Sequence, residues 1–285
     1  MKEITRDEYH KRINKAVDFI NAHLNKSLDL VTLSKQTNIS EYHFHRIFKA
    51  YIGESLGSYI TRLRLEKAAQ ILQVNNLPLN EIAEITGYQS HFSLSKAFKK
   101  HFGVTPSAFR NIKVYFNRQI KEVKDEPVGL SPEIRFIEKK DLVYIRIIAK
   151  YGEPFAFETA WENLWKHAKK KGVLNGRNEY IGLSFDDPNI TKPDQCRFYA
   201  CISTDKNVSA DGKFGKQSIQ AGKFAVFTLM GSYDGLQELY DSIYYNWLPS
   251  SSEKLRDTMP FEKYINDPAS VPEAEILTEV YIPIE

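Results

Sequence analysis

Residues 87–110 read GYQSHFSLSKAFKKHFGVTPSAFR. Gly87 supplies a turn. Ser90 is a favoured N-cap, because its hydroxyl can accept from an N–H that the first helical turn leaves unpaired. Leu94 and Phe98 follow four apart, which puts them on one face of a helix running to about Phe102. Gly103 can adopt the left-handed conformation that ends it. Thr105 and Pro106 open a further short helix to about Ile112.

The same order stands fifty positions upstream. Ser40, Phe44, Arg46, Phe48, Lys49, Gly53 and Ser55 recur as Ser90, Leu94, Lys96, Phe98, Lys99, Gly103 and Thr105. The short helices before them match at an offset of 49, Leu33 and Ser34 with Ile82 and Ala83. A duplicated helix–turn–helix unit follows. A long helix from Ser55 through Leu72, closed by Asn75, Asn76 and Pro78, joins the copies, and an amphipathic helix from Asp7 to Leu24 precedes them. A solenoid needs more repeats to bury a continuous core, so two copies suggest two equivalent reading heads.

In such a unit the second helix lies in the major groove, with its first turns at the base edges. The residues expected to be exposed there are Glu41, Tyr42, His45, Arg46 and Lys49 in the first copy, and His91, Phe92, Ser95, Lys96 and Lys99 in the second. Arg46 and Lys96 are equivalent, and either can donate to guanine O6 and N7. Tyr42 and Phe92 are also equivalent and can pack on thymine methyls or sugars. Lys49, Arg62, Arg64, Lys99 and Lys100 are expected at phosphates, which position without specifying. The plainer reading of any one basic residue is a solvated helix face. His43 and His45, two apart, point to different faces and do not form a metal pair.

The 285 residues suggest two domains. Residues 1–124 hold 20 Lys and Arg against 11 Asp and Glu, whereas residues 125–285 hold 19 against 25. A basic module beside an acidic one suggests that only the first meets a polyanion. No run approaches the ~18 apolar residues of a membrane span, so no membrane partner is expected. The charged N-terminus lacks the apolar stretch of a signal peptide, and a cytoplasmic location is expected. Cys196 and Cys201, five apart, fall on opposite faces of a strand and are read as packing residues. No zinc-site spacing is present. No metal and no cofactor is expected.

From about Lys113 the pattern changes to strand alternation at Ile134 and Phe136, then at Val143, Ile145 and Ile147. An amphipathic helix over Phe157–Lys171 carries Trp161 and Trp165. Strands follow near Tyr180–Phe185 and Arg197–Ser203. The order then repeats loosely: Phe224–Met230 alternates, Leu236–Leu248 is helical and includes Trp247, and Ile276–Ile284 is a final strand. Val123–Pro132 reads as the linker. Glu279 stands among Val280, Tyr281 and Ile282. A buried carboxylate is costly unless it is paired or serves a cationic ligand, and Tyr281 shares its strand face. Trp165 and Trp247 can stack on such a ligand or belong to the core. Glu279 can equally sit in an internal salt bridge or lie exposed at the strand edge.

Residues 8–112 resemble the AraC family of transcription regulators, through Gly87–Arg110 and through the linker helix LEKAAQIL at Leu65–Leu72. The resemblance implies two helix–turn–helix subdomains entering adjacent major grooves about one duplex turn (~34 Å) apart. Carried over by position, the base-reading residues are Tyr42, His45 and Arg46, then His91, Phe92 and Lys96. Phe92 departs from the polar residue often found at its position, which puts hydrogen-bonded readout by the second copy in question. The remainder resembles the GyrI-like effector-binding domain through IGLSFDDP (181–188), CRFYACIS (196–203), AGKFAVFTLMGSY (221–233), WLP (247–249), PFEKYI (260–265) and EVYIPI (279–284). That family's cleft, between two halves, binds drug-like molecules that are often cationic or aromatic.

The expectation is therefore a multi-domain chain. An all-α double helix–turn–helix domain (1–112) and a linker (113–132) precede an α+β domain of duplicated βαββ units (133–285). Its expected function is sequence-specific transcription regulation, with double-stranded DNA and a small-molecule effector as partners and RNA polymerase as a further one. The effector site is expected at Glu279, Tyr281, Trp165 and Trp247. Two alternatives stand beside it. One is a small-molecule hydrolase with Glu279 as base and Tyr281 as donor, which no Ser/His/Asp, Cys/His or metal constellation supports. The other is a protein-binding module, compatible with the acidic second half.

Overall fold

The computed structural model describes residues 3–74, 76–111, 130–256 and 258–285. Most of the expected linker, and the end of the helix expected to reach Ile112, lie outside the described residues. The chain divides into two compact units, each described by itself.

The first unit is helical: α1 Glu3–Ala22, α2 Leu30–Thr37, α3 Glu41–Ile52, α4 Leu56–Val74, α5 Leu79–Ile85, α6 His91–Phe102, and α7 over 106–111. Local chemistry sets its boundaries. The Asp29 carboxylate accepts from the Thr32 N–H at 2.7 Å to open α2. Ser90 and Ser93 form a reciprocal capping box at α6. Gly53 (φ 89°) and Gly103 (φ 78°) end α3 and α6, and their N–H groups donate to Lys49 O and Lys99 O. Ser40 holds the N-cap position of α3, but its side chain makes no capping bond. Phe44 and Phe48 of α3, and Leu94 and Phe98 of α6, are fully buried at matching places. Each such side chain contributes about 1.5–3 kcal/mol of burial.

Two residues expected at phosphates are structural instead. Arg62 is only 7% exposed. Its guanidinium meets Glu54 at 2.5 Å and Glu66 at 3.1 Å, so its fork is already committed. Arg64 leaves the same helix, α4, and donates to the carbonyls of Leu24 (2.9 Å) and Lys26 (2.7 Å) just beyond α1. Gly87 (φ 76°) lies against that guanidinium, where a Cβ would come within 2.8 Å of Nη2. Arg64 thus ties the end of α1 to the turn before α6.

The second unit is an eight-stranded antiparallel sheet: β1 Glu133–Ile137, β2 Lys140–Ile148, β3 Tyr180–Ser184, β4 Arg197–Thr204, β5 Phe214–Ile219, β6 Gly222–Met230, β7 Phe261–Tyr264 and β8 Leu277–Pro283. The strand order is β1-β6-β8-β7-β3-β4-β2-β5. Helix α8 (Pro154–Lys170) follows β2. Helix α9 (Leu236–Ser242) follows β6 and runs through a π-helical turn, Ile243–Trp247, into α10, Leu248–Ser250. The duplication is therefore β2-α8-β3-β4 and β6-α9-β7-β8, with one strand exchanged each way: β1 pairs with β6, and β5 with β2.

Strand alternation gives the sheet two unlike faces. On one, Val143, Ile145 and Ile147 pack under Ala160, Leu164 and Ala168 of α8. On the same face Ala225, Val280 and Ile282 pack with Ile243. The other face is aromatic, with Tyr144 stacked on Tyr199 (4.2 Å) and Phe261 on Tyr281 (4.3 Å).

Candidate functional site

With Phe44 and Phe48 turned inward, α3 presents Tyr42, His45, Arg46 and Lys49 to solvent. Tyr42 is 68% exposed. Arg46 Nη1 donates to its hydroxyl at 3.1 Å, and the guanidinium carbon lies 5.7 Å from the ring centre. In α6 the same register exposes Phe92, Lys96, Lys99 and Lys100, and Phe92 is 75% exposed. The half-buried His91 ring sits 3.9 Å from that of Phe92. The two helices share a glycine C-cap, core positions and exposed face. They differ in chemistry: α3 offers a guanidinium held by a phenol, and α6 an apolar ring flanked by point charges.

The four residues expected around an effector do not form one site. Glu279 and Tyr281 lie on the aromatic face of the sheet, while Trp165 and Trp247 belong to the helices covering the other face. The alternation of β8 is the reason. Arg135 donates to Glu279 Oε1 at 2.7 Å, to Tyr281 Oη at 3.1 Å and to Glu133 Oε2 at 2.5 Å. The Tyr281 hydroxyl donates to Glu279 Oε2 at 2.6 Å. Of the readings left open for Glu279, the internal salt bridge is the one present. A base at Glu279 would have to leave this ion pair. Hydrogen bonding to Glu133 and Glu279 holds the Arg135 guanidinium more firmly protonated than usual, and burial pushes the Tyr281 phenol up. A pocket of about 260 Å³ opens beside Arg135, lined by Leu130, Ser131, Glu133, Val226, Phe227 and Thr228. Trp165 is 42% exposed with the Lys169 ammonium 4.9 Å from its ring. Trp247 packs edge-on to Phe227 at 5.0 Å in the core beneath α9.

Glu262 is a buried carboxylate at the centre of the sheet, on the helix-covered face. It is 3% exposed, and no basic group among the described residues pairs with it. Oε1 accepts from Ser184 Oγ (2.9 Å) and Tyr240 Oη (3.2 Å), and Oε2 from Tyr264 Oη (2.7 Å). Burial pushes its carboxyl above the usual range, and the three hydroxyls partly offset that. Burial and the neighbouring carboxylate push Tyr240 and Tyr264 well up. Trp161 and Tyr233 stand edge-on to Tyr264 at 5.6 and 5.5 Å, and Tyr244 lies parallel to Tyr240 at 6.3 Å. All five of these aromatic residues are half-buried.

Sequence reasoning passed over Glu262, and of the helical tryptophans it chose Trp165 rather than Trp161. A signal was present. Aligned on Asp187-Pro188 and Asp267-Pro268, the internal repeat sets Glu262 against Gly182.

Comparison with known proteins places both units. Residues 130–285 match the family model of the GyrI-like small molecule binding domain, and residues 33–112 that of a helix-turn-helix domain. The chain is 24% identical over 259 residues to the transcriptional regulator Rob of Salmonella typhimurium, covering 86% of this chain and 87% of that protein. It is 25% identical over 259 residues to the right origin-binding protein of Escherichia coli K12, with the same coverage. The multiple antibiotic resistance protein MarA of Salmonella typhimurium is 35% identical over 98 residues, 34% of this chain and 77% of that protein. No described helix is long and apolar enough to cross a membrane.

Proposed function

The chain belongs to the family of GyrI-like small molecule binding domains, here joined to an AraC-type DNA-binding region, and on that premise we propose that this regulator responds to a cationic aromatic molecule taken up at Glu262. The observation that carries the reading is a buried carboxylate with hydroxyl partners, no cation among the described residues and a wall of tyrosine and tryptophan rings. Such a group is costly to hold ionised. A lipophilic cation would balance it, and the rings would attract the same charge through their faces. Trp161, Tyr233, Tyr240 and Tyr264 form the wall, with Ser184 orienting the carboxylate. Glu279 and Tyr281 brace β1 against β8 instead.

On the DNA side, Arg46 reads guanine in the major groove with Tyr42 beside it. Lys96 makes the equivalent contact as a point charge, and Phe92 meets thymine methyls or sugars. His45 and His91 complete the two base-facing sets. Lys49, Lys99 and Lys100 neutralise phosphates. Double-stranded DNA is the first partner and RNA polymerase the further one.

Calorimetric titration of the full chain with aromatic cations and their neutral isosteres tests the effector reading. Cations should bind and neutral isosteres should not. Glu262→Gln should lose the binding, and Glu279→Gln should keep it. The opposite pattern in the two variants would overturn the assignment.

A further inference from the structure

We infer that the molecule received at Glu262 carries N–H donors, as a protonated amine or a guanidinium-like group does, and that the Thr278 hydroxyl is its second anchor. The inference rests on the reading of Glu262 as the effector site. A carboxylate offers about four acceptor positions. Ser184 and Tyr240 occupy Oε1, and Tyr264 takes one position on Oε2, which leaves one free. Thr278 is wholly buried, and its Oγ1 has no hydrogen-bond partner among the described residues. A buried hydroxyl left unpaired is expensive and calls for an explanation.

The placement joins the two vacancies. Thr278 pairs with Tyr264 in the β7–β8 ladder, and Glu262 with Val280, so Thr278 and Glu262 are diagonal neighbours on one face. That diagonal spans about 7 Å between side-chain origins. The first half of the duplication shows what normally fills it. Phe198, the equivalent of Thr278, reaches across to Gly182, the equivalent of Glu262, and a Cβ on Gly182 would lie 2.7 Å from its ring. In the second half a carboxylate replaces the glycine, and a much shorter side chain replaces the phenylalanine. The repeat is broken at both ends of one diagonal, and each end presents an acceptor. An N–H cation donates to both, whereas a quaternary ammonium donates to neither.

Titrating the full chain with 1-naphthylmethylamine and with its N,N,N-trimethyl derivative tests this. The amine should bind about tenfold or more tightly, because sites built to accept N–H bonds reject a ligand that has none. Thr278→Val should melt no lower than the parent and bring the two ligands to near parity, and Thr278→Ser should restore the preference. A trimethyl derivative that binds as well as the amine would overturn the inference and leave the Glu262 reading standing. Preference kept in Thr278→Val, or a clearly lower melting point of that variant, would remove Thr278 as the anchor. Binding of neither ligand to the parent would end the Glu262 reading and this inference together.

Discussion

Gly182 and Glu262 face each other across the β3–β7 ladder, and they are also the same position in the two halves of the duplication, eighty residues apart. The local two-fold axis of the sheet therefore passes between a residue with no side chain and a buried carboxylate. A Cβ at Gly182 would collide with the Tyr264 hydroxyl and the Phe198 ring. The missing side chain is what lets Tyr264 reach Glu262. Gly182→Ala should lower stability by about 1–3 kcal/mol through overpacking and weaken cation binding with it. Denaturant unfolding and calorimetry on the one variant check both. A variant that keeps its stability and its binding would show that the approach of Tyr264 does not depend on Gly182.

The raised pKa of Glu262 sets a sign for pH dependence. Its folded-state pKa lies above the ordinary 4.5, so its contribution is fully present below that value. It is lost as pH rises through the folded pKa. The parent should lose stability relative to Glu262→Gln over that window and run parallel to it above. Cation binding should strengthen over the same window, because the ionised carboxyl is the form that binds. Unfolding free energies of parent and variant, measured from acid to neutral pH, test this. A constant difference throughout would contradict it.

Arg62 and Lys49 should separate cleanly. Removing Arg62 takes the guanidinium away from the buried Glu66 carboxylate, at a cost of about 3–5 kcal/mol. It should leave the salt dependence of DNA binding unchanged at temperatures where the variant is folded. Lys49→Ala should leave stability nearly intact and reduce the slope of log affinity against log salt by about 1. Binding isotherms at several salt concentrations distinguish the two.

Tyr42 holds Arg46 through its hydroxyl. Arg46→Ala should cost about 1–3 kcal/mol and relax preference at one base pair. Tyr42→Phe should produce a smaller loss at that same base pair, read from a panel of singly substituted duplexes. A uniform loss across the panel would assign Arg46 to phosphate.

The helical half was legible in the sequence because its determinants are local. Cap residues, αL glycines and buried apolar residues recur at a fixed offset, and they appear where the spacing put them. Ser40 shows the limit, since a residue type favoured for capping need not make the bond. Arg62 and Arg64 were misjudged because distant groups decide their exposure. Glu54 lies eight residues before Arg62 and outside its helix, and the Leu24 carbonyl that receives Arg64 lies forty residues before it. In the second half the strands and the duplication were visible, but the exchange of β1 and β5 between halves was not. Glu279 drew attention as a charge in an apolar run, and its partner Arg135 stands 144 residues away. Glu262 escaped notice because a four-residue strand reading Phe-Glu-Lys-Tyr resembles an exposed edge. Pairing with β3 is what makes it central.

The most direct test of the account is the affinity of the full chain for a duplex selected from a random pool, at one moderate salt concentration, with and without a saturating aromatic cation, in the parent and in Glu262→Gln. Linked sites typically couple by about 5–150-fold. The account predicts a shift of that order in the parent and none in the variant. An equal shift in both proteins, or an unshifted parent with the cation demonstrably bound, would contradict it.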